Sequence, residues 1–284
     1  MRDSNRPIVV GIDGSSFGEA ALSWAAGEAA LRSAPLVLVY AFQWPLMGHP
    51  ISNIETVDTE PELARQMLLD HACTARELAP RIEVGSRMIF GSPARTLLEM
   101  GRGAEMVVVG SRGLGGFAGL LAGSVSLQVA EHSDSPAVVV RASGTPGGPI
   151  LVGLDGHLSE AALGWAFDEA ARHGATLLAV HAWAEPDGHD GPAPDLDDPV
   201  EADASERLFD VLARWRHKYP MVPVTEEHTR GHPVPVLLER AATARLMVVG
   251  SRGRGGFAGL LLGSTSQGVL RHAPCPVAVI RSRT

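Results

Sequence analysis

Two glycine-rich segments contain the residues of this chain with the clearest capacity for chemistry. They read GSRGLGGFAGLLAGS (residues 110–124) and GSRGRGGFAGLLLGS (residues 250–264), each following a short apolar run and leading into a hydroxyl cluster. Glycine lets the backbone approach a ligand closely, and the free N–H groups at a helix start favour negative charge. The pattern therefore predicts a site for a nucleotide phosphate, present twice.

An aspartate at the end of the first apolar run of each half, Asp13 or Asp155, is the second candidate group. In an open parallel sheet, ligands bind beyond the carboxyl ends of the strands, so this Asp and the glycine segment meet if strands one and four are neighbours. The carboxylate could then accept hydrogen bonds from ribose hydroxyls or an adenine amine. The alternative is that Asp13 only caps the first helix or a turn. Its recurrence beside a second glycine segment favours ligand contact.

An internal repeat with a period close to 140 residues positions these groups. The run IVVGIDG at residues 8–14 recurs as ILVGLDG at residues 150–156. A period of that size indicates a duplicated domain rather than a solenoid. We predict domains at residues 1–143 and 150–284, joined by the small, polar, helix-breaking linker 144–149.

Within each half, short β-branched apolar runs alternate with helical patterns. This alternation predicts βαβ units in an α/β fold with a parallel sheet buried on both faces. The predicted strands are residues 7–13, 35–42, 82–90, 106–110, 137–141, 149–155, 176–183, 222–230, 246–250 and 276–281. The predicted helices of the first half are residues 18–32, 62–79, 93–102 and 124–133.

Two segments, residues 43–61 and 184–201, are rich in Pro, Gly and acidic residues and do not follow this alternation. The second has no apolar periodicity and is predicted as a mobile surface loop. Within the second, Asp187, His189 and Asp190 could suggest a metal site. A solvated acidic loop is the favoured interpretation, because nothing in the pattern places the three side chains rigidly. We predict no metal site.

Composition excludes several classes of protein. The chain has 284 residues and a 45% apolar share, and its net charge of −8, from 24 basic and 32 acidic residues, argues against broad nucleic-acid binding. Cys73 and Cys275 fall at non-equivalent places of the two halves, which suits a reducing compartment. The N-terminal sequence shows no secretory signal, and no apolar run approaches the ~20 residues of a membrane span. We therefore expect a cytoplasmic protein without a membrane partner.

Two common nucleotide-binding patterns do not fit. A P-loop needs a lysine beside its glycines, and the sole lysine of the chain, Lys218, lies far from both segments. Gly113-x-Gly115-x-x-Ala118 matches the dinucleotide fingerprint, but it follows the fourth predicted strand instead of the first. No acidic residue ends the following strand, as ribose recognition by that fingerprint would require, so a dinucleotide site is disfavoured.

A different spacing fits. Gly110-x-x-Gly113, nine residues, then Gly123-Ser124 recurs in the second half from Gly250, and the chain also contains VGIDGS near its start, GSPA before the third helix and HAPCPVAVIR near its end. In these motifs the chain resembles the universal stress protein family over nearly its whole length, in the tandem two-domain form of actinobacterial, including mycobacterial, members. The resemblance implies two Rossmann-like, HUP-type domains. Each would be an open five-stranded parallel sheet of order 3-2-1-4-5, with helices on both faces and ATP as the ligand, with or without Mg²⁺.

The resemblance also implies the residues of the two sites, with the Asp for adenosine recognition, the second-strand residue at the adenine edge, and the glycines and hydroxyl cluster for ribose and phosphates. In the first half they are Gly11, Asp13, Ala41, Val109, Gly110, Gly113, Gly123, Ser124, Val125 and Ser126. In the second half they are Gly153, Asp155, Ala182, Val249, Gly250, Gly253, Gly263, Ser264, Thr265 and Ser266. No residue is assigned a catalytic role.

The remaining polar residues of the motifs leave alternatives open. Tyr40 and His181, beside the adenine edge, are expected to pack locally rather than to catalyse. Arg112 and Arg252 lie inside the glycine segments and either pair with phosphate or only solvate the loop. After Asp155 the turn is one residue shorter than after Asp13, so we expect tighter nucleotide binding in the first half.

The expected function is that of an ATP-binding, nucleotide-dependent regulator in stress or dormancy adaptation. Two alternatives stay open: a slow ATPase or other nucleotide-processing enzyme, and an interaction scaffold with vestigial pockets. The family pairs its domains through the last strand, so the resemblance favours a homodimer and an intrachain pseudo-dimer formed by residues 137–141 and 277–281. An exposed β-branched edge also needs a partner or a cover.

Overall fold

The computed structural model describes residues 6–42, 55–114, 122–154, 160–183, 210–251 and 261–282. It divides the chain into two compact units, Met1–Ser143 and Gly144–Thr284, called the first and second domain below.

The first domain is a five-stranded parallel sheet of order β3-β2-β1-β4-β5. Its strands are β1 (Ile8–Gly11), β2 (Leu36–Phe42), β3 (Val84–Phe90), β4 (Met106–Gly110) and β5 (Ala137–Val140). Its helices are α1 (Ser16–Arg32), α2 (Glu55–Leu78), α3 (Pro93–Met100) and α4 (Ser124–His132).

The strand order of the first domain creates the place for a site. From β1 the chain moves outward to β2 and β3, then returns to the other side of β1 with β4 and β5. Right-handed crossovers put the helices of the two directions on opposite faces, in agreement with the packing of α1 on α2 and of α3 on α4. The central strands β1 and β4 are buried along their lengths apart from their last glycines, and Val10 is in register with Val108. The ends of β1 and β4 therefore lie side by side, where the winding direction changes.

The second domain repeats this architecture with the order β8-β7-β6-β9-β10. When its strands are numbered from one to five along the chain, this is again the order 3-2-1-4-5. Its strands are β6 (Ile150–Leu154), β7 (Leu177–Trp183), β8 (Val224–Arg230), β9 (Leu246–Gly250) and β10 (Val277–Ile280). Its helices are α5 (Glu160–His173), α6 (residues 210–218), α7 (Pro233–Ala241) and α8 (Ser264–His272). The predicted fold class, with two doubly wound α/β domains, is confirmed.

Two boundaries differ from the sequence prediction. Helix α1 begins at Ser16, two residues early, because the Ser15 side chain caps it by accepting from Gly18 N at 3.1 Å. Helix α2 begins at Glu55, seven residues before its predicted start at residue 62. The helix continues through Pro61, which removes only one backbone donor. Residues 184–201, the predicted loop, lie outside the described residues.

The segment predicted as a linker, residues 144–149, bonds to the second domain. Thr145 N donates to Ala244 O at 2.9 Å, and the Thr145 hydroxyl donates to Ala242 O at 3.3 Å. Arg245 N in turn donates to Pro149 O at 2.9 Å. Gly144 adopts a positive φ of 71° and packs on Arg245 so closely that a Cβ would meet its carbonyl oxygen.

Candidate functional site

Asp13 stands in the turn after β1 and both of its carboxylate oxygens accept hydrogen bonds. Oδ1 accepts from Ser15 N at 3.0 Å and from the Ser15 hydroxyl at 2.6 Å. Oδ2 accepts from Leu114 N, in the first glycine segment, at 3.1 Å. Asp13 therefore orders the turn before α1, as the second sequence interpretation expects, and it lies against the predicted phosphate loop. Its contact with a ligand stays a prediction.

Two glycines of that loop make close approaches that a side chain would prevent. A Cβ on Gly110 would lie 2.7 Å from the carbonyl carbon and oxygen of Phe17, in the first turn of α1. A Cβ on Gly113 would collide with Asp13 Oδ2. These contacts explain two of the glycines of the motif by packing of the loop against β1 and α1.

The third motif glycine, Gly123, is the N-cap of α4 and provides no side-chain cap. Its N–H donates to Ser111 O at 2.8 Å, which fixes the helix start against the end of β4. Ser124 is exposed, and no side chain among the described residues caps the first N–H groups of α4. Free N–H groups with a positive helix dipole behind them are the feature that binds phosphate at helix starts.

The serine at the third position of α4 has a structural bond. The buried Ser126 hydroxyl lies 2.9 Å from Gly123 O and 3.2 Å from Ser111 O, so it donates inward to the backbone. In the second domain the Ser266 hydroxyl donates to Gly250 O at 2.7 Å in the same manner. Both residues belong to the predicted sites, and what they offer toward a ligand is a backbone N–H.

The predicted residues beneath the site are packed into the domain core. Val109 is 3% exposed, and a Cβ on Gly11 would lie 2.9 Å from a Leu97 methyl of α3. In the second domain Val249 is likewise buried, and a Cβ on Gly153 would lie 3.0 Å from a methyl group of Leu237. Gly11 and Gly153 therefore serve helix–sheet packing. Two further predicted residues, Ala41 and Ala182, are half-buried near the ends of β2 and β7.

The described part of the second site matches the first. Gly263 is the N-cap of α8, and its N–H donates to Ser251 O at 2.8 Å. Ser264 is exposed and Thr265 half-buried, as at Ser124 and Val125. Asp155 and Gly253, together with Arg252, lie outside the described residues, as do Asp187, His189 and Asp190.

Tyr40 and His181, which lie beside the predicted adenine edge, contact neighbouring rings. Tyr40 lies 6.5 Å from the Phe42 ring, and the buried His181 ring lies 5.9 Å from His228 on the adjacent strand.

Sequence reasoning missed two members of the first site. The Leu114 N–H, which binds Asp13, has no signature because every residue except proline has this donor. The second missed residue is Phe17, whose ring centre lies 4.5 Å from the guanidinium carbon of Arg112. An aromatic residue in the first turn after VGIDGS was the available signal for that contact.

The comparison with known proteins decides the family. A model of the universal stress protein family matches residues 4–141 and 148–281. The chain belongs to the universal stress protein family. Its two matches correspond to the two described sheets, so each half is one domain of this family.

Other universal stress proteins match over nearly their full length. One from Mycobacterium tuberculosis is 38% identical, with 96% of each chain covered. Another from Mycolicibacterium smegmatis is 37% identical, with 97% of each covered. The crystal structure of a universal stress protein from Archaeoglobus fulgidus aligns with a TM-score of 0.72 at 22% identity, covering 97% of this chain and 96% of that one. The predicted resemblance to tandem mycobacterial members is confirmed. Among the described residues, no helix has the length and hydropathy of a membrane span.

Proposed function

We propose that this universal stress protein binds ATP at the carboxyl ends of its sheets and acts as a nucleotide-dependent regulator in stress or dormancy adaptation. The observation that carries the proposal is the start of α4. Its first N–H groups have no side-chain cap among the described residues, and they begin at Gly123, against the end of β4. Membership of the universal stress protein family supports the link to stress.

The residues present suit the parts of a nucleotide. The α4 N-terminus offers backbone donors for phosphate oxygens, and the absence of a side chain at Gly123 leaves them accessible. Asp13 lies at the neighbouring strand end with a carboxylate that could bind a ribose hydroxyl or adenine amine. Asp13 already accepts three protein hydrogen bonds. Mg²⁺, where present, would thus be held chiefly by the phosphates.

A regulatory role is preferred to an enzymatic one because the loops lack the lysine that positions the transferred phosphate in P-loop enzymes. Neither glycine segment contains lysine, and Lys218 is the sole lysine of the chain. Phosphoryl transfer requires charge neutralisation at the transferred group and a positioned nucleophile. ATP bound to the folded state would instead stabilise it by RT ln(1 + [L]/Kd), and this can bias a partner-binding form. Slow hydrolysis remains the alternative from the enzyme class.

Native mass spectrometry of the full-length protein, as purified and after addition of ATP, tests binding. We expect adducts of adenine nucleotide mass at up to two per chain, and a chain without any adduct under saturating ATP would contradict the proposal in favour of a scaffold. A single-turnover assay with labelled ATP separates regulator from enzyme. Product formation at many turnovers per minute would favour the ATPase.

Replacement of the N-cap glycines measures the two sites separately. At Gly123, where φ is −77°, a Cβ would lie 3.4 Å or more from its protein neighbours, so alanine fits the fold with little strain. A loss of affinity in Gly123→Ala would then arise on the ligand side. We expect this variant to lose more ATP affinity than the matched Gly263→Ala variant, because the first site is expected to bind tighter. The reverse order would contradict that ranking.

A further inference from the structure

The side chain of Arg112 is held in an unusual way for a residue of a phosphate-binding loop. Its guanidinium carbon lies 4.5 Å from the centre of the Phe17 ring, within the range of a cation–π contact. Its backbone lies at the helix start, since a Cβ on Gly123 would be 3.4 Å from Arg112 Cα. The Phe17 ring on α1 thus holds the guanidinium of a residue whose backbone lies at the N-terminus of α4.

The charge of Arg112 has no carboxylate partner among the described residues. Its Nε is buried without a hydrogen-bond partner there. Its charge also reaches Arg141, at the end of β5, whose pKa is lowered by desolvation and then by Arg112. The Arg112 cation and the free N–H groups at the start of α4 together create a positive potential, which grows in strength as water is excluded.

Such a potential discriminates ligands by their charge. A nucleotide monophosphate and a triphosphate can offer the same adenosine to the rest of the site, but they differ by about two negative charges. We propose that Phe17 and Arg112 form a charge-positioning pair that makes the first site select nucleotides with longer phosphate chains. This inference rests on the proposed function of the site and assigns it a ligand preference, triphosphate over monophosphate.

The sequence of the second domain offers no counterpart of Phe17. Between Asp-Gly and the shared EAAL sequence, the first domain has Ser15, Ser16, Phe17 and Gly18, whereas the second has His157, Leu158 and Ser159, with no aromatic residue. We therefore expect the pair in the first site alone, and the second domain is the internal control.

The test is nucleotide titration of the full-length protein followed by hydrogen–deuterium exchange, which reports on each domain through its own peptides. Peptides spanning residues 106–114 and 246–251 give separate affinities for ATP, ADP and AMP. In the unmodified protein we expect the first domain to bind ATP at least about ten-fold more tightly than AMP, because charge-assisted hydrogen bonds are roughly twice as strong as neutral ones.

Four variants decide the proposal. Arg112→Gln is expected to reduce the ATP-to-AMP ratio of the first domain to within about two-fold, and Arg112→Lys to keep most of it, since charge accounts for the larger part. Phe17→Leu is expected to give an intermediate ratio, because the guanidinium remains but loses its platform. Arg252→Gln is the matched control and leaves the first-domain ratio unchanged.

Salt gives a readout that a purely structural role would not change. The ATP-to-AMP ratio should fall with rising NaCl in the unmodified protein and stay flat in Arg112→Gln. An unchanged ratio in Arg112→Gln, or equal losses of ATP and AMP affinity, overturns the proposal. Absence of nucleotide protection in both domains of the unmodified protein would instead overturn the proposed function, so the two failures are distinguishable.

Discussion

The backbone N–H of Leu114 donates a hydrogen bond of 3.1 Å to the carboxylate of Asp13, which lies 101 residues earlier in the chain. Asp13 lies in the turn after the first strand, and Leu114 belongs to the glycine segment after the fourth. The bond forms only because Gly113 has no Cβ, which would collide with the same carboxylate oxygen. The described part of the loop is therefore fixed to β1 by the protein itself, and the site is partly ordered before a ligand arrives.

Asp13→Ala should release the loop and lower the free energy of unfolding by about 1–3 kcal/mol, since three donors lose their acceptor. Urea unfolding measures the stability, and amide exchange at Leu114 measures the release. Asp13→Asn is the graded control, because its single carbonyl oxygen can replace only one of the two carboxylate oxygens. Unchanged exchange at Leu114 in Asp13→Ala would show that the bond does not hold the loop.

Gly110→Ala should destabilise the first domain by about 1–3 kcal/mol, the usual cost of forcing atoms into a packed region. The added Cβ would meet backbone atoms of Phe17 at 2.7 Å, and backbone cannot rotate away as a side chain can. Thermal or urea unfolding of the full-length protein provides the measurement.

Gly27→Ala is the matched control for that substitution. Gly27 lies inside α1, is exposed, and would place its Cβ in open space. The same chemical change should there stabilise by about 0.5–1 kcal/mol, because alanine favours the helix. Equal effects at positions 27 and 110 would mean that the contact with Phe17 is not restrictive.

Glu227→Gln should destabilise the second domain by about 1 kcal/mol at pH 7, the scale of a partly exposed ion pair. Arg240 holds both oxygens of Glu227, with Nη2 at 2.6 Å from Oε1 and Nε at 2.9 Å from Oε2. The hydrogen bonds from Arg240 lower the pKa of Glu227, so the carboxylate contributes stability above its unfolded pKa.

That contribution is lost as pH falls through the lowered pKa of Glu227. The difference in stability between the unmodified protein and Glu227→Gln should therefore be full at pH 7 and shrink below about pH 4, near the ordinary glutamate pKa. Urea unfolding from pH 3 to 8 follows it. A difference that persists at the lowest pH would assign the effect to lost packing instead of lost charge.

The two cysteines should differ in reactivity. Cys73 is exposed on α2, whereas Cys275 is 1% exposed before β10, and burial raises the pKa of its thiol to about 12. Because the thiolate is the nucleophile, iodoacetamide at pH 8 should label one thiol per folded chain and two after denaturation. Cys73→Ser should leave no reactive thiol in the folded protein, and rapid labelling of that variant would place Cys275 within reach of solvent.

The fold was predictable because its signals are local or repeated. Short β-branched runs such as residues 106–110 recur after one period, and each of them forms a buried strand. The start of α2 was not predictable by the same logic, because Pro61 signals a break in sequence yet lies inside a helix that begins six residues earlier.

The site was predictable in its glycines and less so in its side chains. Gly110 and Gly113 have the spacing of the family motif, and the predicted strand order already brought Asp13 to this segment. The contact of Gly110 with Phe17 becomes visible only in three dimensions. Ser126 shows the limit clearly: a hydroxyl at a helix start suggests a phosphate ligand, whereas the folded chain turns it toward Gly123 O. Sequence gives the type of group, and the surrounding backbone decides its direction.

The hydrogen bonds of Thr145 show to which domain the segment between the two repeats belongs. Because Thr145 is hydrogen-bonded to Ala242 and Ala244, residues 144–149 form part of the second domain. Separating the copies for individual study therefore calls for a cut after Ser143. A second domain that begins at Ile150 would lack these hydrogen bonds. A comparison of the two separate domains would then set an intact first domain against an incomplete second one.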